Sequence, residues 1–235
     1  MQLVIYRAVF GGYDEIAFKI PEKVSSNVRF LLITDSDVSL DGWEVLNLQV
    51  PDPLLANRHC KMFPWEYFDA DRSLYIDGHI EFGDDFDNLF NELCRAGGDF
   101  IALRHRQGGN VADELNRNIA NSKISAQHIK NILLSNLNFS APSVECGMLF
   151  RNHVAETVKD HAARWWWYFN NVCPRDQLSV HTAADDVGLE VSVWKDTFSD
   201  FRYFKIVGHS GARLKMLRAR LKKACRILIT GLILE

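Results

Sequence analysis

The sequence predicts an α/β protein with a mostly parallel central sheet flanked by helices. Stretches typical of strands alternate along the chain with amphipathic stretches typical of helices. The stretch VRFLLITD, residues 28–35, is mostly apolar, as expected of a strand buried on both faces of a parallel sheet. Asp35, Asp77 and His105 fall at or near the carboxyl end of a predicted strand, and open α/β sheets bind ligands at that edge.

The strands are predicted from runs rich in β-branched and aromatic residues that stop at glycine, proline or acidic residues. The first run ends at Gly11-Gly12, which indicates a loop. The predicted strands are 2–10, 28–35, 43–50, 73–80, 99–105, 145–153 and 190–194.

The helices are predicted from apolar residues spaced three or four apart. Pro64 is expected to interrupt the first helix or to start another segment. Gly97 is expected to end the second helix, and the third is expected to break near residues 122–125. The predicted helices are 54–68, 86–97, 110–136, 154–172 and one that starts at residue 175 or 176.

The composition is that of an ordinary globular chain, with 47% hydrophobic and 24% charged residues among 235. We expect one large domain, residues 1–208, and an appendage, residues 209–235. The five cysteines include no C-x-x-C pair, which argues against a disulfide framework or zinc knuckle and indicates a reducing compartment. The sequence shows no signal peptide and no membrane-spanning window, so we expect a cytoplasmic protein.

The C-terminal tail is basic, whereas the rest of the chain is acidic. Between residues 213 and 235, seven basic residues and one glutamate give a net charge of +6, which leaves −9 for the rest of a chain whose total is −3. Leucines at helical spacing among these basic residues predict an amphipathic helix over residues 213–234. Such a helix binds an anionic membrane surface, packs on the domain or forms a dimer contact. The acidic body disfavours nucleic-acid binding.

The segment Asp77-Gly78-His79 is the main candidate for chemistry. In an extended segment, residues 77 and 79 point to the same side, so a carboxylate and an imidazole converge there. This pair suits Mn²⁺ or a similar divalent ion. Gly78 permits the close approach of a ligand or an unusual backbone angle. The alternative interpretation is a strand-end turn with both side chains in solvent.

Three further stretches have a functional and an ordinary interpretation. Arg58 and Lys61 share a helix face, where they either neutralise a diphosphate or form a solvated basic surface. The FGGYD loop, residues 10–14, is either a ligand loop or a plain turn. Asp176 stands at a helix start, where its carboxylate either carries chemistry or, as aspartate often does, caps the helix.

Taken together, these segments resemble a known family. They are YRAVFGGYD, LLITD followed by GWEV, NRHCKMFPWEYF, SLYIDGHIEF, LRHRQGGNVADEL, ECGMLFRNH and RDQLS, in this order. Over residues 3–205 the chain resembles a glycosyltransferase-like family found in bacterial polysaccharide loci and in plant Golgi proteins linked to pectin and mucilage. The resemblance implies a GT-A type fold, which is a nucleotide-sugar-binding α/β domain with an Asp-x-Asp metal motif at a strand end.

The resemblance also implies a role for each candidate residue. A catalytic base for an inverting transfer would be Asp176 as first choice and Glu145 as second. The divalent metal, Mn²⁺ or Mg²⁺, would bind Asp77, with His79 and His209 as further ligands, although His79 departs from a strict Asp-x-Asp motif. The residues expected to contact the nucleotide-sugar donor are Phe10, Gly11, Tyr13, Asp35, Arg58, Lys61 and Asp77, and those expected on the acceptor side are His105, Glu114 and Arg175.

Two functions are consistent with these observations. The first is a metal-dependent hexosyltransferase that moves a sugar from a nucleotide-sugar donor to a saccharide or lipid-linked glycan acceptor. It would act in surface polysaccharide biosynthesis, peripherally at the inner membrane face. The second is a non-catalytic glycan- or nucleotide-binding module in a polysaccharide assembly, an alternative that His79 in the metal motif leaves open.

Overall fold

The computed structural model describes residues 2–21, 23–24, 27–199 and 203–207. Its central sheet has seven strands in the order β3-β2-β1-β4-β7-β6-β8, and β5 and β9 form a separate pair. The strands are β1 Leu3–Val9, β2 Val28–Thr34, β3 Glu44–Asn47, β4 Arg72–Ile76, β5 Ile80–Phe82, β6 Phe100–Arg104, β7 Val144–Asn152, β8 Val191–Trp194 and β9 Phe204–Ile206.

The predicted fold class is confirmed: the sheet is mostly parallel and helices flank it. Strands β3, β2, β1 and β4 run parallel to one another, and β6 runs parallel to β8. Strand β7 is antiparallel to both of its neighbours, β4 and β6. The reversed strand therefore begins at the edge of the sheet where the parallel strands end.

The described residues form six α-helices, and several of their ends lie at or next to the residues that the sequence predicts to end or interrupt a helix. Pro64 starts a separate 3₁₀ turn, Pro64–Glu66, so the predicted helix 54–68 ends early. Gly97, at φ +75°, ends α2 in the left-handed conformation. The Ser125 hydroxyl accepts from the His128 N–H and starts α4. The helices are α1 Pro53–Met62, α2 Phe86–Ala96, α3 Val111–Ala120, α4 Ala126–Leu134, α5 Glu156–Asn171 and α6 Asp176–Asp185.

The sheet separates two hydrophobic cores, because successive residues of a strand point to opposite faces. In β1, Val4 and Tyr6 belong to the core shared with α1, α5 and α6, whereas Leu3 and Ile5 belong to the core shared with α2. All seven residues of β1 are buried, as is typical of a central parallel strand, and the last five residues of β2, for which the sequence predicts burial on both faces, are buried as well.

An irregularity in β7 shapes the edge of the sheet nearest the candidate site. Ala102 of β6 pairs with Leu149, but the next residue, Leu103, pairs with Glu145. Residues 146–148 of β7 are therefore left out of the pairing with β6, although Met148 still pairs with Ile76 of β4. Bulges of this kind bend a strand and redirect its side chains, often beside active sites.

The predicted C-terminal appendage, residues 209–235, lies outside the described residues, as does His209. Among the residues that the structure does describe, no helix is long and apolar enough to cross a membrane.

Candidate functional site

Four candidate side chains lie at one edge of the central sheet. Asp35, Asp77 and His105 follow the carboxyl ends of β2, β4 and β6, as the sequence predicts. Glu145 reaches the same edge from the start of β7, because that strand runs in the opposite direction.

The segment Asp77-Gly78-His79 forms a turn, so the predicted extended strand through residue 80 is wrong. Strand β4 ends at Ile76, and the Ile80 N–H donates to the Asp77 carbonyl at 3.1 Å, which closes the turn. Asp77 and His79 nevertheless line the same two cavities. Gly78 is not in the left-handed region; a side chain is disfavoured there because its Cβ would lie 2.6 Å from a carboxylate oxygen of Asp14.

Contacts from three strands hold Asp77. The Tyr75 hydroxyl donates to Oδ1 at 2.6 Å, and Arg7 Nη1 of β1 donates to the Asp77 carbonyl at 2.8 Å. The Asp77 N–H donates to the Gly147 carbonyl of β7 at 2.8 Å. A Cβ on Gly147 would lie 2.9 Å from Asp77 Oδ2, so glycine at this position leaves room for the carboxylate.

Two cavities meet at Asp77. The glycine-loop cavity, about 510 Å³, is lined by Phe10, Gly11, Tyr13, Asp14, Leu54 and Asn57 among others. The polar cavity, about 540 Å³, is lined by Lys61, His105, Glu114, Glu145, Asp176 and Gln177 among others. Four residues line both cavities, namely Arg58, Asp77, His79 and Arg175. Each cavity is large enough for a small-molecule ligand.

The shape of the glycine-loop cavity depends on the backbone of its loop. Gly11 and Gly12 have φ values of +64° and +60°, which residues with a Cβ rarely adopt. The Gly11 N–H donates to both carboxylate oxygens of Asp35, at 2.9 and 3.1 Å. Asp35, which the sequence analysis expects to contact the donor, lines neither cavity in the described structure. Its carboxylate instead binds the backbone of the glycine loop at Gly11.

Helix α1 presents Arg58 and Lys61 inward, so their interpretation as a solvated basic surface is wrong. Lys61 is 1% exposed, and its Nζ lies 2.6 Å from Asp176 Oδ2. Arg58 Nη1 lies 3.8 Å from the same oxygen. Arg58 lines both cavities, whereas Lys61 lines the polar cavity.

The cations of α1 keep two carboxylates ionised. Burial by itself would raise the pKa of Asp176, but Lys61 and Arg58 outweigh it and hold that pKa well below its usual value. The same balance of burial against Lys61 and Arg58 lowers the pKa of Asp77. Both groups are therefore anionic at neutral pH and have little affinity for a proton.

An acid–base cluster lines the polar cavity. His105 Nε2 lies 3.6 Å from Glu114 Oε2 and 3.6 Å from Glu145 Oε1. The Gln107 N–H donates to His105 Nδ1 at 3.2 Å, so Nε2 carries the proton of the neutral ring. Gln177 Nε2 donates to Glu145 Oε2 at 3.3 Å. The two glutamates thus flank one imidazole in the wall of the polar cavity, each at a distance slightly longer than a direct hydrogen bond.

The described residues fit a divalent ion only if the ligand supplies much of its coordination. They contain no group of three or more His, Cys, Asp and Glu side chains placed to hold a metal. Asp77 and His79 supply one carboxylate and one imidazole beside both cavities. Mg²⁺ and Mn²⁺ commonly bind one or two protein carboxylates and complete their shells with substrate phosphates and water.

Several residues that hold the site were not singled out by sequence reasoning: Arg7, Tyr75, Gly147 and Gln177. Arg7 had a signal in the sequence, since an arginine inside the apolar run LVIYRAV implies a buried charge with a specific partner. The side chain is 1% exposed, and its guanidinium carbon lies 4.3 Å from the Phe18 ring centroid. Gly147 had no such signal, because its role depends on the neighbouring strand.

No family model matches the chain, and neither does any curated protein sequence. Many solved structures are similar, and three of them illustrate the low identity. The first is the bifunctional IspDF of Campylobacter jejuni, with 9% identity and a TM-score of 0.42; the match covers 84% of this chain and 50% of that one. The second is a protein described as a glucose-1-phosphate thymidylyltransferase of Bacillus anthracis in complex with sucrose, with 10% identity, a TM-score of 0.44 and coverage of 83% of this chain and 87% of that one. The third is the 4-diphosphocytidyl-2C-methyl-D-erythritol synthase of Anaerococcus prevotii, with 10% identity, a TM-score of 0.47 and coverage of 85% of this chain and 88% of that one.

The chain thus spans half of the first of these proteins and most of the other two. At these TM-scores the likeness carries no conclusion about activity.

Proposed function

We propose that the protein is a glycosyltransferase that moves a sugar from a nucleotide-sugar donor to a glycan or lipid-linked acceptor in surface polysaccharide biosynthesis. The observation that carries the proposal is the meeting of two ligand-sized cavities at Arg58, Asp77, His79 and Arg175. A group transfer between two substrates needs such a junction, because donor and acceptor must bind side by side.

The donor is assigned to the glycine-loop cavity. Its loop exposes backbone at Gly11 and Gly12, and the half-exposed ring of Tyr13 offers a face for a nucleoside base. Arg58, at the junction, would bind the diphosphate through charge-assisted hydrogen bonds. The transferred sugar would then lie between the two cavities.

The acceptor is assigned to the polar cavity, where a hydroxyl oxygen would attack the anomeric carbon of the donor sugar. The bond from that carbon to the diphosphate oxygen breaks, and its electron pair leaves with the nucleoside diphosphate. The acceptor proton passes to a carboxylate base. We assign this base to Glu145 ahead of Asp176, because Asp176 is paired with Lys61 and its lowered pKa leaves it a weak proton acceptor.

A divalent ion, Mn²⁺ or Mg²⁺, would be held by Asp77 and His79 together with the diphosphate. When bound, it stabilises the negative charge on the leaving diphosphate. Arg58 supplies positive charge at the same junction, and the Tyr75 hydroxyl orients the Asp77 carboxylate.

Thermal shift and calorimetry with UDP-, GDP-, CMP- and dTDP-sugars, each with and without Mn²⁺, test the proposal. We expect one nucleotide family to raise the melting temperature by mass action, and to do so more with Mn²⁺. Asp77→Asn keeps an acceptor for the Tyr75 hydroxyl but loses the charge, so this shift should disappear. Glu92→Gln, an exposed carboxylate on α2, is the matched control and should retain the shift.

A second variant leaves Asp77 intact and crowds it. Gly147→Ala places a methyl group against Asp77 Oδ2, so it should weaken donor binding by about tenfold or more. Gly98→Ala is equally crowded, with its Cβ 2.9 Å from Ser192 Oγ, but lies outside both cavities and should not change binding.

If no nucleotide sugar binds, the transferase proposal is wrong. If donors bind but no acceptor is glycosylated and no donor hydrolysed, the binding-module alternative is favoured.

A further inference from the structure

The cations that line the polar cavity fall into two groups. In the first group, each cation has a carboxylate partner: Lys61 and Arg58 lie 2.6 and 3.8 Å from Asp176 Oδ2, and Arg117 Nε lies 2.9 Å from Glu114 Oε2. Carboxylates of the protein thus balance these charges at least in part, and the donor diphosphate is assigned to Arg58, so none of them calls for a second anionic ligand.

The second group, which we call the outer cations, consists of Arg106, Lys123 and Arg175. All three line the polar cavity. Within the described ranges, no carboxylate oxygen lies within 4.0 Å of their charged groups. Among the described residues, their charged groups therefore have no ion-pair partner at the wall of the cavity.

Arg175 connects the segment that carries Lys123 to the transfer junction. Its Nη2 donates to the Lys123 carbonyl at 3.1 Å, which joins the start of α6 to the loop after α3. Its Nε is buried and has no hydrogen-bond partner among the described residues. The guanidinium is thus held in place through Nη2, while no described group pairs with its Nη1, and a guanidinium binds a carboxylate or phosphate through charge-assisted hydrogen bonds.

A neutral sugar would leave this charge without a partner. The lining of the polar cavity holds six lysine and arginine side chains against four carboxylates, and a net positive charge of this kind attracts an anion and orients it as it enters. Arg106 and Lys123 line the polar cavity but not the glycine-loop cavity, so the donor diphosphate assigned to the latter does not account for them.

We propose that the acceptor is anionic, and that the outer cations bind its negative group, a sugar carboxylate or a phosphate. The proposal rests on the assignment of the polar cavity to the acceptor. It adds to that assignment the chemical class of the acceptor and the residues that select it.

The test compares three monosaccharide probes that differ at one position: galactose, galacturonate and galactose 6-phosphate. Binding to the unaltered 235-residue chain is measured by ligand-observed NMR titration. We expect at least one of the anionic probes to bind about tenfold more tightly than galactose, and this preference to shrink as salt is added. A stronger preference for galacturonate identifies a carboxylate acceptor, and one for galactose 6-phosphate identifies a phosphorylated acceptor.

The variant Arg106→Gln/Lys123→Gln should reduce the preference to about threefold or less, because it removes two of the three outer cations. The matched control is Arg95→Gln/Lys130→Gln, which removes one arginine and one lysine from exposed positions of α2 and α4. The control should keep the full preference. Equal binding of the neutral and anionic probes to the unaltered protein would refute the proposal, as would equal losses in the two double variants.

Donor binding, measured on the same proteins, separates this proposal from the proposed function. The Arg106→Gln/Lys123→Gln variant should bind the nucleotide sugar as the unaltered protein does. If anionic probes bind selectively but no nucleotide sugar binds at all, the anion site stands and the transferase assignment fails.

Discussion

Gly147 and Gly78 have no functional group, yet each leaves space for one. A Cβ on Gly147 would approach Asp77 Oδ2 to 2.9 Å, and a Cβ on Gly78 would approach an Asp14 carboxylate oxygen to 2.6 Å. Neither glycine has a positive φ, so the requirement comes from crowding and not from backbone conformation. These two glycines therefore determine how closely the 10–14 loop and strand β7 pack around the turn at Asp77.

The assignment of Glu145 as the base is a prediction at the scale of one residue. Glu145→Gln preserves size and can still accept from Gln177 Nε2, but it cannot take up the acceptor proton. We expect kcat to fall by about 100-fold or more while the donor dissociation constant stays within about twofold. Steady-state kinetics and donor titration measure the two effects separately. A kcat within about threefold of the parent would show that another group accepts the proton.

At the scale of secondary structure elements, a buried ion pair joins α1 to α6. Lys61 comes from the last turn of α1, and Asp176 is the first residue of α6. Their charged atoms are 2.6 Å apart, and the side chains are 1% and 11% exposed. The position of Asp176 at a helix start also stabilises its ionised carboxylate, because the free N–H groups there favour a negative charge. The pair fixes the wall of the polar cavity between the two helices.

Removal of one member of this pair should be costly. Asp176→Asn leaves the Lys61 ammonium buried without its counter-charge, so we expect a loss of about 3–5 kcal/mol in the free energy of unfolding. Lys61→Met should also destabilise the protein, whereas the double variant Lys61→Met/Asp176→Asn should regain much of the loss. Chemical denaturation of all four proteins gives the coupling energy. Additive losses in the double variant would mean that the two side chains act independently.

At the scale of the whole molecule, buried neutral histidines make stability depend on pH. Burial lowers the pKa of His161 to about 4, and Arg151 adds to this effect. Burial, again with Arg151, lowers the pKa of His153 to about 3. His161 Nε2 bonds the Val180 carbonyl, and His153 Nε2 bonds the Ser73 hydroxyl. Both rings are therefore part of the core and outside the candidate site.

The sign of this dependence follows from the proton count. Below about pH 6.5 the unfolded chain binds protons at these two histidines, whereas the native protein does not bind them until the pH nears 4 or 3. The free energy of unfolding should thus fall by up to about 1.4 kcal/mol per pH unit for each ring as the solution is acidified. Denaturant titrations at several pH values, from neutral to mildly acidic, give the change in the free energy of unfolding with pH. For His161→Phe this change should correspond to about one proton fewer taken up on unfolding than in the parent. Equal slopes for this variant and the parent would contradict the assignment.

Much of the fold could be predicted from the sequence because its signals are local. Gly97 ended α2, the polar stretch before Ser125 separated α3 from α4, and Pro64 ended the first helix, all through backbone preferences of single residues. The carboxyl-edge positions of Asp77 and His105 followed from the parallel sheet. The sequence predicted the strand before Asp77 but placed its end four residues too late, because the turn at Asp77–Ile80 depends on a hydrogen bond that hydrophobic periodicity does not reveal.

What the sequence determined by itself was therefore the class of fold, most element boundaries and the edge of the sheet that carries the polar side chains. Only the tertiary structure showed that Asp176 is paired with Lys61, 115 residues away, and that Asp35 binds the Gly11 backbone. It also placed Glu145 beside His105 by reversing β7. The physical reason is that local signals depend on one residue and its neighbours, whereas the charge, burial and partners of a site residue depend on segments that only the folded chain brings together.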